Sequence, residues 1–194
     1  QKCGKTWLAL EMSVSVASGA PFLGKFAVNK TGTVVIYSPE LRRSEIQARI
    51  GEIVRARNLP AQLHIHIDDQ SGLFLDRPGG QKIVRETLRK LRPALYIFDP
   101  LSRCFGGREN DSGKIKLMSE FLASVAREWE CAMMLVHHSA KRSHGHDFGG
   151  RGSGELGAYG DSNLSMNKID NKKSVLAFEQ RHGLAIDPLC ADSG

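Results

Sequence analysis

Runs of apolar, β-branched residues alternate along the chain with segments whose apolar residues recur at helical spacing. The runs at residues 33–38, 63–67, 95–98 and 131–136 are predicted to be buried strands. This alternation is typical of an α/β protein with a mostly parallel central sheet flanked by helices. We expect residues 1–194 to form a single domain of this kind.

Helices are predicted between these strands. The first should end near Ser18, with Gly19 as its C-cap. Ser44-Glu45-Ile46-Gln47 fits a capping box that opens the second helix, and helices are also predicted at 81–92 and 112–130. Their apolar faces are Ile46, Ile50, Ile53 and Val54, then Ile83, Val84, Leu88 and Leu91, then Ile115, Met118, Leu122, Val125 and Trp129.

Near the end of the sequence, two strand-like runs flank a polar turn. They cover residues 163–169 and 174–180, and the turn is Asp170-Asn171-Lys172. Runs of this length around a short turn predict a C-terminal β-hairpin. On the second predicted strand of the chain, His64 and His66 alternate with apolar residues and are expected on its solvent side, whereas Met133 and Met134 are expected in the core.

Composition restricts the class of protein. With 41% hydrophobic and 25% charged residues, the chain has the balance of a globular protein in water. No apolar run reaches the length of a membrane span and no signal peptide is visible. The four cysteines are scattered without metal-ligand spacing, which indicates reduced thiols in a cytoplasmic protein. The net charge of +6 fits a polyanionic partner, although solvated lysines explain it almost as well.

The start of the chain matches the second half of a phosphate-binding loop, G-x-x-x-x-G-K-[ST]. Gly4-Lys5-Thr6, flanked by Cys3 and Trp7, leads into an apolar helix. In such a loop, backbone N–H groups surround a phosphate, the lysine (Lys5) reaches the outer phosphates, and the hydroxyl of Thr6 ligates Mg²⁺. Since the first glycine of the motif would precede Gln1, we expect half the loop and the strand before it to lie upstream. A tripeptide this short also occurs by chance on exposed turns.

Polar residues follow three of the predicted strands. Glu40 comes after the first, Asp99 after the third, and His137-His138 after the fourth. Because ligands of open parallel sheets bind outside the carboxyl ends of the strands, we expect these residues to converge with Lys5 on one rim.

Each of these residues has a chemical interpretation and a plainer one. Asp99 would hold Mg²⁺ opposite Thr6, or it is an Asp-Pro turn that ends a strand. Glu40 would activate the attacking water as a general base, or it is a surface glutamate. One histidine would contact the γ-phosphate. Neighbours on a strand point to opposite faces, so at most one does so, and His138 is favoured over His137. A metal site at this pair lacks a cysteine or acidic ligand at useful spacing.

The loops after Asp99 and after His138 are basic. Facing a central channel, they would follow a nucleic-acid backbone through phosphate contacts, and Phe105 and Phe148 would stack on bases. Equally, they are solvated surface loops. The candidate basic residues are Arg103, Arg108, Lys141, Arg142, His144, His146 and Arg151.

Together these segments resemble the RecA-like P-loop ATPases, in particular the plasmid RepA-type replicative helicases and related AAA-type ATPases of plasmids and phages, within the DnaB-like group. The resemblance spans nearly the whole chain, and its short motifs are specific in their order and spacing. The matching segments are Gly4-Lys5-Thr6, 19–24, Ser38-Pro39-Glu40, Tyr96-Ile97-Phe98-Asp99, 136–141, Arg151-Gly152-Ser153 and 178–183.

The resemblance implies a ring, usually a hexamer, with ATP and Mg²⁺ at subunit interfaces and single-stranded DNA through the centre. It implies that Glu40 is the catalytic base and that His138 senses the γ-phosphate. It also implies that Arg151 is an arginine finger, which stabilises transition-state charge in a neighbouring subunit. The missing half-loop departs from the family pattern and puts the activity of the chain as written in doubt.

Two other functions remain open from the sequence. One keeps the fold but not the translocation: a RecA- or KaiC-like, ATP-gated recombinase or regulatory ATPase without unwinding activity. The other is a non-enzymatic fragment that only binds an oligomeric partner or DNA. The set of Glu40, Asp99 and His138 argues against the last, because a pure binding module needs no such groups.

Overall fold

The computed structural model describes residues 4–106, 111–137, 157–169, 173–183 and 185–192. The chain forms two compact units. One is Thr6–Ala140, and the other combines Gln1–Lys5 with Lys141–Gly194. The expectation of a single domain over residues 1–194 stays a prediction.

A four-stranded sheet lies at the centre of the unit Thr6–Ala140. Its strands are β1 (Val34–Tyr37), β2 (Ile65–Asp68), β3 (Leu95–Phe98) and β4 (Ala132–Leu135). The strand order is β2-β1-β3-β4, and every neighbouring pair is parallel. The predicted α/β fold with a parallel central sheet is confirmed.

The carboxyl ends of three strands are level with one another. Tyr37 at the end of β1 pairs with Phe98 at the end of β3, and Phe98 pairs with Leu135 at the end of β4. Residues that directly follow these strands therefore emerge at the same edge of the sheet.

Four helices accompany the sheet in the described part of this unit. They are α1 (Lys5–Ser18), α2 (Arg43–Ala56), α3 (Pro78–Leu91) and α4 (Ser112–Trp129), with one turn of 3-10 helix at Leu101–Arg103. Ala9 and Leu10 of α1 join Ile36 and Ile97 of the sheet in one buried apolar cluster. None of the helices in the described ranges is long and apolar enough to cross a membrane.

The direction of α1 follows from its contacts. Near its C-terminal end, the carbonyl oxygen of Val16 accepts a hydrogen bond of 3.3 Å from the N–H of Gly32, just before β1 begins. That end therefore lies at the amino edge of the sheet. A helix of 14 residues is about 20 Å long, so the N-terminus of α1 points toward the carboxyl edge.

Helix ends agree with the prediction at α1 and differ at α2. Gly19 has a φ of +81°, and its N–H donates to the carbonyl of Ser15, so it is the predicted C-cap. The capping box was placed wrongly, because α2 begins one residue earlier than Ser44. Its N-cap is Arg42, whose N–H donates to Oε2 of Glu45 at 3.1 Å.

Helix α3 begins at Pro78, three residues before the predicted start at Gln81. Its Gly80 touches the backbone of Phe74 so closely that an added Cβ would lie 2.0 Å from the Phe74 carbonyl oxygen. Val84 and Leu88 are fully buried, as predicted. Ile83, predicted for the same apolar face, is 43% exposed because the covered stripe is narrower than the sequence pattern indicated.

A second, antiparallel sheet lies in the other unit. Its strands are β5 (Ser162–Lys168), β6 (Lys173–Gln180) and β7 (Leu189–Asp192), in the order β5-β6-β7. The pairing of β5 with β6 confirms the predicted hairpin. Strand β7, which pairs with β6, was not predicted, because Leu-Cys-Ala-Asp carries no clear alternation.

Candidate active site

The residues Gly4, Lys5 and Thr6 form the start of α1. Gly4 has a φ of +80°, a backbone conformation that side chains disfavour, and Lys5 is the first helical residue. The first N–H groups of a helix have no partners within it, and the helix dipole adds partial positive charge there. The start of α1 is therefore suited to bind a phosphate group.

Trp7 lies on the first turn of the same helix and is 40% exposed. The guanidinium carbon of Arg49, on α2, lies 5.4 Å from the centroid of its ring. The sequence indicated Trp7 as part of the nucleotide site but not Arg49, since only the packing of α1 near α2 brings them together.

Glu40 follows β1 through a short loop. Ser38 is buried, and its N–H donates to the carbonyl of Asp68 at 2.8 Å, which extends the pairing of β1 with β2 by one residue. The chain then leaves the sheet, so that Glu40 is exposed. Its carboxylate is the acidic group nearest in sequence to the end of β1.

Asp99 follows β3 directly and is 5% exposed. Its N–H donates to the carbonyl of Tyr37 at 3.0 Å, which holds the residue to the end of β1. Below it, the rings of Tyr96 and Phe98 stack with centroids 4.4 Å apart. A carboxylate at the end of a rigid, fully buried strand has the position that a Walker B aspartate requires.

The 3-10 turn after Asp99 is firmly anchored. The N–H of Leu101 donates to the carbonyl of Val136 beyond β4, and Cys104 donates from its thiol to the carbonyl of Pro100 at 3.3 Å. Burial raises the pKa of Cys104 to about 12, with a further contribution from the negative charge of Asp99. Cys104 is therefore a packing residue of the turn and not a nucleophile at neutral pH.

Arg103 projects from this turn and pairs with Glu40. Its Nε donates to Oε1 of Glu40 at 2.9 Å. The sequence predicted Arg103 as a nucleic-acid contact and Glu40 as a catalytic base, with no link between them. The structure brings these two candidates into direct contact.

His137 follows β4 at the same edge. Val136 before it is buried, and its N–H donates to the carbonyl of Phe98 at 2.9 Å, so the polypeptide stays beside β3 up to this point. His137 is half-buried. The remaining predicted site residues lie outside the described residues: Cys3, Arg108, His138, Lys141, Arg142, His144, His146, Phe148 and Arg151.

Arg77 is a basic residue near this loop that the sequence reasoning missed. Its guanidinium carbon lies 4.5 Å from the ring centroid of Phe74. A Cβ added at Gly106 would come within 2.6 Å of its Nε, so the loop after Asp99 passes directly beside it. The signal in the sequence was weak, because Arg77 stands in a separate loop before Pro78.

The residues at this edge fit Mg²⁺. The Thr6 hydroxyl and the Asp99 carboxylate supply hard oxygen ligands, and Mg²⁺ is usually held by one or two protein oxygens together with substrate phosphates and water. The described ranges contain no group of three or more histidine, cysteine or acidic side chains that could hold a metal. In the described ranges, then, Mg²⁺ would depend on phosphate oxygens for much of its coordination.

The fold and the level row of polar residues define the RecA-like class of P-loop ATPase. Comparison with known proteins agrees. The chain is similar to a solved ATPase domain of a DnaB-like replicative helicase, with 17% sequence identity and a TM-score of 0.66, over 97% of this chain and 76% of that one. No curated protein matches the sequence. The family model described as "AAA domain" matches residues 1–144, and the chain belongs to that family.

Proposed function

We propose that the protein is an ATP-hydrolysing, nucleic-acid-dependent motor, a ring-forming replicative DNA helicase of a plasmid or phage that acts in the cytoplasm. The main support is the level edge of the sheet. Glu40, Asp99 and His137 follow three adjacent parallel strands there. The N-terminus of α1 points toward the same edge.

In this proposal, the start of α1 binds the triphosphate and Lys5 contacts its outer phosphates. Thr6 and Asp99 hold Mg²⁺, which when bound neutralises charge on the phosphate oxygens. Glu40 accepts a proton from the attacking water. The water oxygen forms a bond to the γ-phosphorus while the bond from that phosphorus to the bridging oxygen breaks. ADP leaves with the electron pair, and the proton passes on to the released phosphate.

His137 or His138 contacts the γ-phosphate in this proposal, and Arg151 acts on the nucleotide of a neighbouring subunit. The partners are single-stranded DNA and further copies of the chain in a hexamer. The net charge of +6 supports a polyanionic partner. Arg103 and Arg77, beside the loop after Asp99, are the basic residues of the described part that are best placed to meet it.

The test is ATP hydrolysis by the protein with a complete phosphate-binding loop, with and without single-stranded DNA. We expect Lys5→Ala and Asp99→Asn each to lower the rate about 100-fold or more, as loss of one preorganised charge contact commonly does. Lys82→Ala on α3 is the matched control, since Lys82 makes an exposed ion pair with Glu86 away from this edge. A Lys5→Ala rate equal to that of the wild type would refute the proposal.

Strand displacement separates the helicase from the alternative. A helicase separates a labelled duplex with a single-stranded tail when ATP is supplied. An ATP-gated recombinase or regulatory ATPase hydrolyses ATP without separating the strands. Lys5-dependent hydrolysis without displacement would therefore favour the alternative.

A further inference from the structure

The ion pair of Glu40 and Arg103 joins two residues that have opposite tasks in the proposed function. Glu40 serves the chemistry at the nucleotide, and Arg103 is a candidate contact for nucleic-acid phosphate. Their atoms Oε1 and Nε are 2.9 Å apart, although the residues are 63 positions apart in sequence. While the pair is closed, the carboxylate is directed to the guanidinium and its negative charge is partly neutralised.

The backbone around Arg103 is fixed, whereas its side chain is exposed. Leu101 and Cys104, on either side of the turn, are buried. The side chain of Arg103 retains 64% of its exposure and that of Glu40 retains 44%. The guanidinium can therefore leave the carboxylate by side-chain rotation alone, without disturbing Asp99 at the start of the turn.

We propose that Arg103 is a latch that couples nucleic-acid binding to ATP hydrolysis. With no nucleic acid present, Arg103 holds the Glu40 carboxylate. A phosphate of the bound strand then competes for the guanidinium, and the released carboxylate becomes available to the attacking water. This inference rests on the proposed function, because it assigns a regulatory step to the same site.

The exchange is energetically balanced. An exposed ion pair contributes little net stabilisation, since both charges are well hydrated when apart. The contact with Glu40 uses Nε, whereas phosphate accepts parallel hydrogen bonds from two nitrogens of one guanidinium. Phosphate in a polyanionic strand can therefore replace Glu40. The coupling is reciprocal: whatever removes Glu40 from Arg103 must strengthen nucleic-acid binding by the same factor.

The first test needs no nucleotide. Binding of a fluorescein-labelled oligodeoxythymidine is followed by anisotropy at several salt concentrations. We expect Glu40→Gln to tighten binding about two- to fivefold, the range of an exposed pair. We expect Arg103→Ala to weaken binding and to reduce the slope of log affinity against log salt by about 0.7, the value for one phosphate contact on a single strand.

A second ion pair of the same kind supplies the control. Nη1 of Arg85 lies 2.7 Å from Oε2 of Glu128, with side-chain exposures of 46% and 51%, on α3 and α4. We expect Glu128→Gln and Arg85→Ala to leave the DNA affinity within about twofold, because a single remote surface charge is largely screened. Tightening by Glu128→Gln equal to that by Glu40→Gln would show a general charge effect and overturn the latch.

The second test is hydrolysis. We expect Arg103→Ala to raise the rate without DNA and to lose most of the stimulation by DNA, and Arg103→Lys to keep part of both. Unchanged melting temperatures would show that the variants fold. An Arg103→Ala protein with wild-type basal and stimulated rates would overturn the latch, while Lys5-dependent hydrolysis would still support the ATPase. If no Lys5-dependent hydrolysis exists, the ATPase proposal fails, and the anisotropy result still decides whether Glu40 and phosphate compete.

Discussion

At the scale of single residues, burial determines what the cysteines can do. Cys104 is fully buried and Cys131 is 3% exposed, and in both burial raises the pKa to about 12. The thiolate is the reactive form, so at pH 8 both thiols are protonated as well as shielded. Cys190, in contrast, is exposed.

We predict that iodoacetamide at pH 8 modifies Cys190 in the native protein and leaves Cys104 and Cys131 unmodified until denaturant is added. Peptide mass spectrometry after timed labelling measures this, and Cys190 is the internal control. Native-state modification of Cys104 as fast as that of Cys190 would contradict the prediction. Because the raised pKa favours the neutral thiol in the folded state, the stabilisation is complete below pH 9 and declines as the pH rises toward 12.

The Glu40–Arg103 pair shows which part of the site residue patterns do not predict. Each residue could be recognised alone, as a carboxylate after a strand and as a basic residue in a loop. Their contact depends on where two loops, 63 positions apart, meet in space. Hydrophobic periodicity carries no information about that meeting, because both side chains are exposed.

At the scale of elements, one arginine connects three segments of the chain. Nη1 of Arg57, the C-cap of α2, donates to Oε1 of Glu11 at 2.6 Å and to Oγ of Ser15 at 2.9 Å. Its Nη2 donates to the carbonyl of Pro21 at 2.7 Å. Glu11 and Ser15 lie on α1, so Arg57 ties the end of α2 to α1 and to the segment that follows it.

We predict that Arg57→Ala lowers the free energy of unfolding by about 1–3 kcal/mol, because it leaves partly buried acceptors without their donor. The Glu11 side chain is only 16% exposed, so water cannot fully replace the guanidinium. Arg55→Ala is the matched control, since Arg55 is exposed on the same helix. Urea unfolding followed by circular dichroism measures both, and equal midpoints for the two variants would contradict the prediction.

Elements with a strong apolar pattern were predicted well, and those defined by the backbone were not. Strand β3 was predicted at its observed bounds, because it is a continuous buried run ended by Asp99-Pro100. The start of α3 was missed because Pro78 and Gly79 favour turns in a sequence, although proline fits the first turn of a helix. Helix α2 began early because Glu45 binds back to the N–H of Arg42, which has no typical capping side chain.

At the scale of the whole molecule, the topology carried the prediction of the site. Parallel strands have their carboxyl ends on one side, so polar residues after each strand must meet there whatever their separation in sequence. The observed level register of β1, β3 and β4 is the physical basis of that rule. What the rule leaves undetermined is the partner of each side chain within the row, which depends on loop conformation.

Nucleotide binding at this edge should stabilise the fold. A ligand that binds only the folded state, at a concentration of about 100 Kd, adds about 2.7 kcal/mol to the free energy of unfolding. In a protein of this size, 1 kcal/mol corresponds to about 2–4 °C in melting temperature. We therefore predict a rise of about 5–10 °C with Mg²⁺ and a non-hydrolysable ATP analogue, by these same relations.

The variants separate the two parts of this stabilisation. Lys5→Ala should remove most of the rise because it weakens the phosphate contact, whereas Asp99→Asn should remove only the part that EDTA removes from the wild type. Lys82→Ala, whose side chain is 78% exposed on α3, should behave as the wild type. If Asp99→Asn loses more of the rise than EDTA takes from the wild type, then Asp99 supports the nucleotide by a route other than Mg²⁺. An equal rise in Lys5→Ala and Lys82→Ala would place the analogue away from the start of α1, and the assignment of this edge as the nucleotide site would fail.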